Sequence, residues 1–164
     1  KTIAVDTETT GLEYMDVELV GISLSIKSGE AAYIPFGHTT GEKQLSKDIV
    51  LKKMKPLLES SNKNIIGQNI KFDRNILSQN GIKLGEVKQD TMLMSYVLDA
   101  SATRHNMDAI SKYYLNHKTT TFEDVAGKGV KQITFDKVPL AEAKDYASED
   151  ADITFRLFEY SFIY

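Results

Sequence analysis

Short apolar or alternating runs of strand length give way along this chain to longer segments whose apolar residues recur three and four apart. Ile3-Ala4-Val5 is a continuous apolar run and predicts a strand over Lys1–Thr7, covered on both faces. Leu19, Gly21-Ile22, Leu24 and Ile26 alternate and predict a second strand over Val17–Ile26. Ser28-Gly29 reads as a hairpin turn and Ala31–Pro35 as a third strand, followed by a Gly- and Thr-rich loop, Phe36–Lys43. Ser46 with Asp48 marks a helix start, and Ile49, Leu51, Met54, Leu57 and Leu58 keep helical spacing up to Ser60. Asn64–Gly67 predicts a short buried strand. Asn69 is the expected cap of a helix carrying Ile70, Phe72, Ile76 and Leu77, which Asn80-Gly81 ends. An edge strand, Glu86–Lys88, and a helix, Thr91–Leu98, come next, with Met92, Leu93, Met94, Tyr96 and Val97 expected inside. After the loop Asp99–Arg104, Asn106 caps a helix whose apolar face is Met107, Ile110, Tyr113, Tyr114 and Leu115. Lys118–Lys137 has no period and contains Gly127-Lys128-Gly129, so it is expected to be a mobile functional loop. Pro139 stands at the first turn of a last helix running to the C-terminus, with Glu142 in that turn. Three meandering strands followed by strand–helix alternation predict an α/β fold on a mixed sheet.

Composition narrows the class. A chain of 164 residues suits one domain with a real core, spanning residues 1–164. Its 41% hydrophobic content holds no run long enough for a membrane span. It opens inside a core strand without an initiator Met, so it is read as a domain cut from something longer. The absence of Cys excludes disulfides and thiolate metal sites and agrees with a reducing cytoplasm. A net charge of −3 is unlike a protein that coats duplex nucleic acid. It leaves room for an enzyme that grips a few nucleotides at one end, with metal ions supplying positive charge locally.

The acids carry the candidate chemistry. Asp6 and Glu8 follow the first apolar run one residue apart, so their side chains share a side of the strand, with backbones roughly 7 Å apart. Two desolvated carboxylates there cost stability unless a cation sits between them. Asp73 lies one turn into its helix, four residues after Asn69, and Tyr146 and Asp150 are likewise four apart on the last helix. Four acids without a plausible His ligand suit a hard divalent cation such as Mg²⁺ and exclude zinc proteolysis. His38, His105 and His117 fall in loops or at a helix end and are expected to be surface or capping residues. Glu149 and Asp152 are expected on the solvated face of the helix. Met92, Met94, Tyr113 and Tyr114 are expected in the core rather than as a base-stacking platform.

Asp6-Thr7-Glu8-Thr9-Thr10-Gly11-Leu12, Gly67-Gln68-Asn69-Ile70-Lys71-Phe72-Asp73 and Tyr146-Ala147-Ser148-Glu149-Asp150 resemble, in order and spacing, the three exonuclease motifs of the DEDD superfamily. The Tyr four residues before the last Asp resembles its DEDDy branch. Arg104-His105-Asn106-Met107-Asp108, Thr121–Gly129 and Lys131-Gln132-Ile133-Thr134-Phe135 look like the 3′–5′ proofreading domains of bacterial DNA polymerase I. The resemblance covers nearly the whole chain. It implies a ribonuclease H-like fold, a mixed five-stranded sheet flanked by helices.

The same resemblance implies roles. Asp6, Glu8, Asp73, Tyr146 and Asp150 would form the catalytic set. Asp6 would bridge two divalent ions, with Mg²⁺ expected and Mn²⁺ or Zn²⁺ as alternatives. Glu8 and Asp150 would complete the first ion's site, Asp73 would hold the second partly through water, and Tyr146 would orient the attacking water. Leu12 and Phe135 resemble an apolar wedge against the terminal bases. Thr9, Gln68, Asn69, Phe72 and Arg104 match positions near the terminal nucleotides and phosphate, and Phe72 stands where some relatives have Tyr. The expected partners are a single-stranded DNA 3′ end and a covalently linked polymerase domain on the C-terminal side, in a monomeric, cytoplasmic protein. Two other readings stay open, a ribonuclease D-like RNA exonuclease and a non-catalytic scaffold domain of a polymerase.

Overall fold

The computed structural model describes residues 1–161, apart from the side chains of Lys88 and Ser161. The expected run of the last helix on to Tyr164 lies outside the described residues. The strands are β1 (Thr2–Thr9), β2 (Leu19–Lys27), β3 (Glu30–Pro35), β4 (Asn64–Gly67) and β5 (Val87–Asp90). The helices are α1 (Lys47–Leu58), α2 (Lys71–Gln79), α3 (Thr91–Leu98), α4 (Met107–Leu115), α5 (Phe122–Ala126) and α6 (Leu140–Ser161). The strands form one mixed sheet in the order β3-β2-β1-β4-β5. β1–β2 and β2–β3 are antiparallel, whereas β1–β4 and β4–β5 are parallel. This is the expected five-stranded ribonuclease H-like sheet.

Alternation along β1 sorts the two faces of the sheet. Ile3 and Val5 join Ile22, Ile65, Val50, Leu58, Ile76 and Leu77 in a core shared with α1 and α2. Ala4 and Ile66 turn the other way, against Phe155 of α6. Ile3, Ala4 and Val5 are all buried, as a strand covered on both faces requires. The strand continues past Thr7, so Asp6 and Glu8 lie inside it rather than off its end, and its register slips only between Glu8 and Thr9. β4 pairs with β1 over Thr2–Ala4 alone. Beyond Ala4 the β4 side of β1 therefore opens into a crevice at the carboxyl ends of two parallel strands, where α/β sheets bind ligands.

Three expectations change. Asn69 is not the side-chain cap of α2. It adopts a left-handed φ of 54°, and the backbone amides of Asn69 and Ile70 donate to the Asp90 carboxylate, each at 3.0 Å. Asp90 also accepts from the Met92 amide at 2.9 Å, so one carboxylate at the end of β5 caps two helices. α3 is not buried. Among the described side chains of α3 only Thr91 and Ser95 are fully buried, Met92 and Met94 are half-buried, and Leu93, Tyr96, Val97 and Leu98 are exposed, as is Tyr113 on α4. The α3 helix is apolar almost all round, and a pattern without a polar face cannot say which side is covered. The Lys118–Lys137 segment is also built rather than open. Thr121 and Asp124 form a capping box that starts α5, and two 3₁₀ turns follow at Gly129–Lys131 and Phe135–Lys137.

Candidate active site

The carboxylates converge because the sheet and α6 meet at one end. Asp6 and Glu8 point from β1 toward α6, whose Tyr146 and Asp150 are one turn apart. One oxygen from each of Asp6, Glu8 and Asp150 lies within 4.8 Å of the others. Among the described residues Glu8 Oε1 is buried with no hydrogen-bond partner, and Asp6 has only a long bond from Ser23 Oγ at 3.4 Å. Three acids with this little hydrogen bonding are a poor end state for a protein interior and a good set of hard oxygen ligands. The donor set fits a divalent cation.

Electrostatics reports the same strain. Burial pushes the Asp6 carboxyl up to about 6. Glu8 is raised well above its ordinary range by burial, then by the Asp6, Asp150 and Asp73 charges. Asp150 is raised by burial and by Asp6, against a hydrogen bond from Tyr146. The Tyr146 phenol is raised by burial and by Asp150, which keeps it protonated at any physiological pH. Asp73, also raised by burial and by Asp6, is a near neighbour of this trio rather than a member of it. Its Oδ1 accepts from the Thr7 amide at 2.8 Å and from Thr7 Oγ1 at 2.6 Å.

Asp6, Glu8 and Asp150, but not Asp73, line a cavity of about 500 Å³. Leu12, Phe72, Phe122 and Ile133 give it apolar walls, with Thr9, Thr10, Gln132 and Thr134 between them. Of these, Leu12 is 87% exposed, and Ile133 is exposed as well. Thr9 lines the wall with its hydroxyl donating to Gly11 O at 2.6 Å. Leu12, Phe72 and Thr9 thus sit where contact with a substrate is possible. Phe135 does not: it is 1% exposed, its ring packed against Tyr33, His38, Phe122 and Tyr146. A buried ring cannot stack on a base, so Phe135 is not available as the expected wedge partner of Leu12; Ile133, two residues earlier, lines the cavity wall instead.

Gln68, Asn69 and Arg104 lie outside the cavity lining. Gln68 has both ends of its amide engaged, accepting from Thr91 Oγ1 and donating to His105 O. Asn69 and Arg104 are exposed on the loops before α2 and α4. Two histidines differ from expectation. His38 is buried and bonds the Tyr33 hydroxyl at 2.8 Å, and His105 is buried between Ser95 Oγ and Ala100 O. Glu149 is not simply solvated either, since it accepts from His117 Nε2 at 2.7 Å and from the Thr120 amide at 2.8 Å. Asp152 accepts from the Gly29 amide at 2.6 Å and ties α6 to the β2–β3 hairpin.

Sequence reasoning missed Gly21 and Tyr33. Gly21 sits opposite Glu8, and a Cβ there would stand 2.3 Å from the Tyr33 hydroxyl, so only glycine lets that ring lie beside the acids. Burial, then the Glu8 and Asp6 charges, raise the Tyr33 phenol, whose hydroxyl bonds His38 rather than lining the cavity. The signal available was the glycine inside an otherwise regular strand.

The description "3′-5′ exonuclease" matches residues 1–160. DNA polymerase I of Pseudomonas aeruginosa is 50% identical over 159 residues, covering 94% of this chain and 17% of that protein. DNA polymerase I of Borreliella burgdorferi is 41% identical over 158 residues, covering 96% of this chain and again 17% of the relative. Solved structures share the fold at low identity. Brucella melitensis NrnC with bound Mg²⁺ has a TM-score of 0.71 at 21% identity, covering 99% of this chain and 72% of that one. Trypanosoma brucei RNase D has 0.73 at 15%, covering 97% and 56%. The chain spans about a sixth of the polymerases it matches, and it belongs to the 3′-5′ exonuclease family.

Proposed function

We propose that this domain is the metal-dependent 3′–5′ exonuclease of a DNA polymerase I, hydrolysing the terminal phosphodiester of single-stranded or frayed DNA 3′ ends to nucleoside 5′-monophosphates. The observation that carries the reading is the convergence of Asp6, Glu8 and Asp150 beside Tyr146 under an apolar-walled cavity. Asp6, Glu8 and Asp150 would hold one divalent ion, and Asp73 with Asp6 a second. Mg²⁺ is the ion that best suits an all-carboxylate set. Such a pair supplies a hydroxide at neutral pH and stabilises the leaving 3′ oxygen.

The chain's own groups do the rest. Water loses a proton as its oxygen bonds to phosphorus, the bond from phosphorus to the 3′ oxygen breaks, and that oxygen takes up a proton to leave as the new 3′ hydroxyl. Tyr146, protonated and fixed among aromatic rings, orients the attacking water as a hydrogen-bonding group rather than acting as its base. Leu12, Phe72 and Ile133 offer apolar surface to the terminal bases without reading sequence, which a proofreader needs. A frayed end reaches the cavity more readily than a paired one, because unpairing costs a few kcal/mol. The relatives' length supports further sequence linked to this domain; we take it to be a polymerase domain on the C-terminal side, in a monomeric cytoplasmic protein.

The test is digestion of 3′-labelled and 5′-labelled oligonucleotides, DNA beside RNA, in Mg²⁺ and in EDTA. Mononucleotides released stepwise from the DNA 3′ end, lost in EDTA and restored by excess Mg²⁺, are the expected result. Preference for RNA would turn the reading to a ribonuclease D-like enzyme, and no cleavage with any divalent ion would make the domain a scaffold.

A further inference from the structure

Thr7 stands between Asp6 and Glu8 yet faces the other side of the sheet. Its alternate neighbours on the strand, Ile3 and Val5, belong to the core under α1 and α2. Asp73, from the first turn of α2, comes from that side as well. The fourth acid therefore reaches the site around the end of the sheet, from the face opposite α6 and the other three. β4 has stopped pairing by this point, so no β4 carbonyl is matched to Thr7. Asp73 Oδ1 takes the place such a carbonyl would have, accepting from the Thr7 amide at 2.8 Å. The Thr7 hydroxyl donates to the same oxygen at 2.6 Å, and both bonds are buried.

We infer that Thr7 is a positioning residue: its amide and hydroxyl together clamp Asp73 Oδ1 and set the fourth acid in register with the three carried by β1 and α6. One donor alone leaves a carboxylate able to pivot about that bond. A second donor on the same oxygen, from the same residue, removes the pivot and fixes where Oδ2 points. A hydrophobic residue at position 7 would keep the strand and the amide bond and lose the clamp. Asp6 and Glu8 would be unaffected, so the deficit would fall on the ion that needs Asp73.

The inference rests on the metal-dependent reading above, and the test separates the two. Mn²⁺ is titrated calorimetrically into wild type, Thr7→Val and Thr7→Ser, each with a deoxynucleoside 5′-monophosphate present, alongside single-turnover cleavage of a DNA oligonucleotide. Val matches Thr in shape without the hydroxyl, and Ser restores the hydroxyl without the methyl. Wild type is expected to take up two ions. Thr7→Val should bind the first normally and the second about 10–100-fold more weakly, with a similar loss of turnover, the usual effect of removing a ligand's supporting hydrogen bond. Thr7→Ser should recover both. Two ions at wild-type affinity and full turnover in Thr7→Val overturn the inference, whatever the melting temperature does. Thr7→Ser as impaired as Thr7→Val also overturns it, because the methyl group would then be what matters. A wild-type chain that takes up no Mn²⁺ overturns the proposed function along with it.

Discussion

Removing one acid should make the metal-free domain more stable, and Asp6 is the place to show it. Its carboxyl is raised from an ordinary 3.8 to about 6 by burial, with one long bond from Ser23 as the only relief. A shift of about 2 units corresponds to ~3 kcal/mol of penalty on the ionised form. The sign follows from linkage. A raised folded-state value means that the native state holds its proton more tightly, so the stability this contributes is whole below the unfolded value and lost as pH rises through about 6. At pH 8 the folded chain carries the full penalty, reduced to about 1–3 kcal/mol by the access of the cavity to water. Asp6→Asn keeps the shape and removes the charge. In EDTA at pH 8 it should melt roughly 3–10 °C above wild type, from the usual sensitivity of a domain this size. At pH 5 the gain should fall to about half, since wild-type Asp6 is by then mostly protonated. Mg²⁺ at a hundredfold excess over its dissociation constant should return about 2.7 kcal/mol to wild type and much less to the variant. Thermal unfolding followed by circular dichroism measures all three. An Asp6→Asn variant that melts below wild type in EDTA at pH 8 would refute the reasoning.

Tyr146→Phe should keep the fold and Mn²⁺ affinity while single-turnover cleavage drops by about 10–1,000-fold, the range for one lost orienting hydrogen bond; unchanged cleavage would reduce Tyr146 to packing. Phe135→Ala should cost about 3–5 kcal/mol of stability, because the ring is fully buried. Leu12→Ala and Ile133→Ala should leave stability nearly unchanged and weaken binding of single-stranded oligonucleotides instead; the opposite pattern in melting and affinity would restore Phe135 as the base contact. Asp90→Ala, which strips four amides at the starts of α2 and α3, should cost about 1–3 kcal/mol by chemical denaturation with little change in cleavage chemistry.

The strands and the acids were legible because both depend on local spacing. Ile3-Ala4-Val5 announces a strand buried on both faces, and Asp6, Glu8, Tyr146 and Asp150 sit at intervals that strand and helix geometry turn into shared faces. Asp90 was not legible as a cap for α2, because it stands 20 residues away from the amide of Ile70 and meets it only through the β4–β5 pairing. Phe135 reads as loop because a 3₁₀ turn has no hydrophobic period, and part of its burial comes from Tyr33 and His38, about a hundred residues earlier. Ile133 lay inside the very stretch that suggested a polymerase exonuclease. Only the turn at Phe135 decides which of the two side chains faces the cavity. α3 failed for the opposite reason, since its near-uniform apolarity gave every residue an equal claim to the core.

The ring of Tyr146 packs against two others, 5.7 Å from the centre of Phe135 and 6.4 Å from that of Phe122. An exposed side chain on a helix wanders among rotamers in picoseconds to nanoseconds. Here that wandering is stopped when the chain folds, and the entropy is lost once, at folding. In the proposed reaction each cycle would then begin with the phenol already aimed, so none of the activation barrier would go to arresting it. The residue at the centre of that cluster comes from the segment between α5 and α6, which makes the aim of the tyrosine a property of a stretch of chain that contributes no acid to the site.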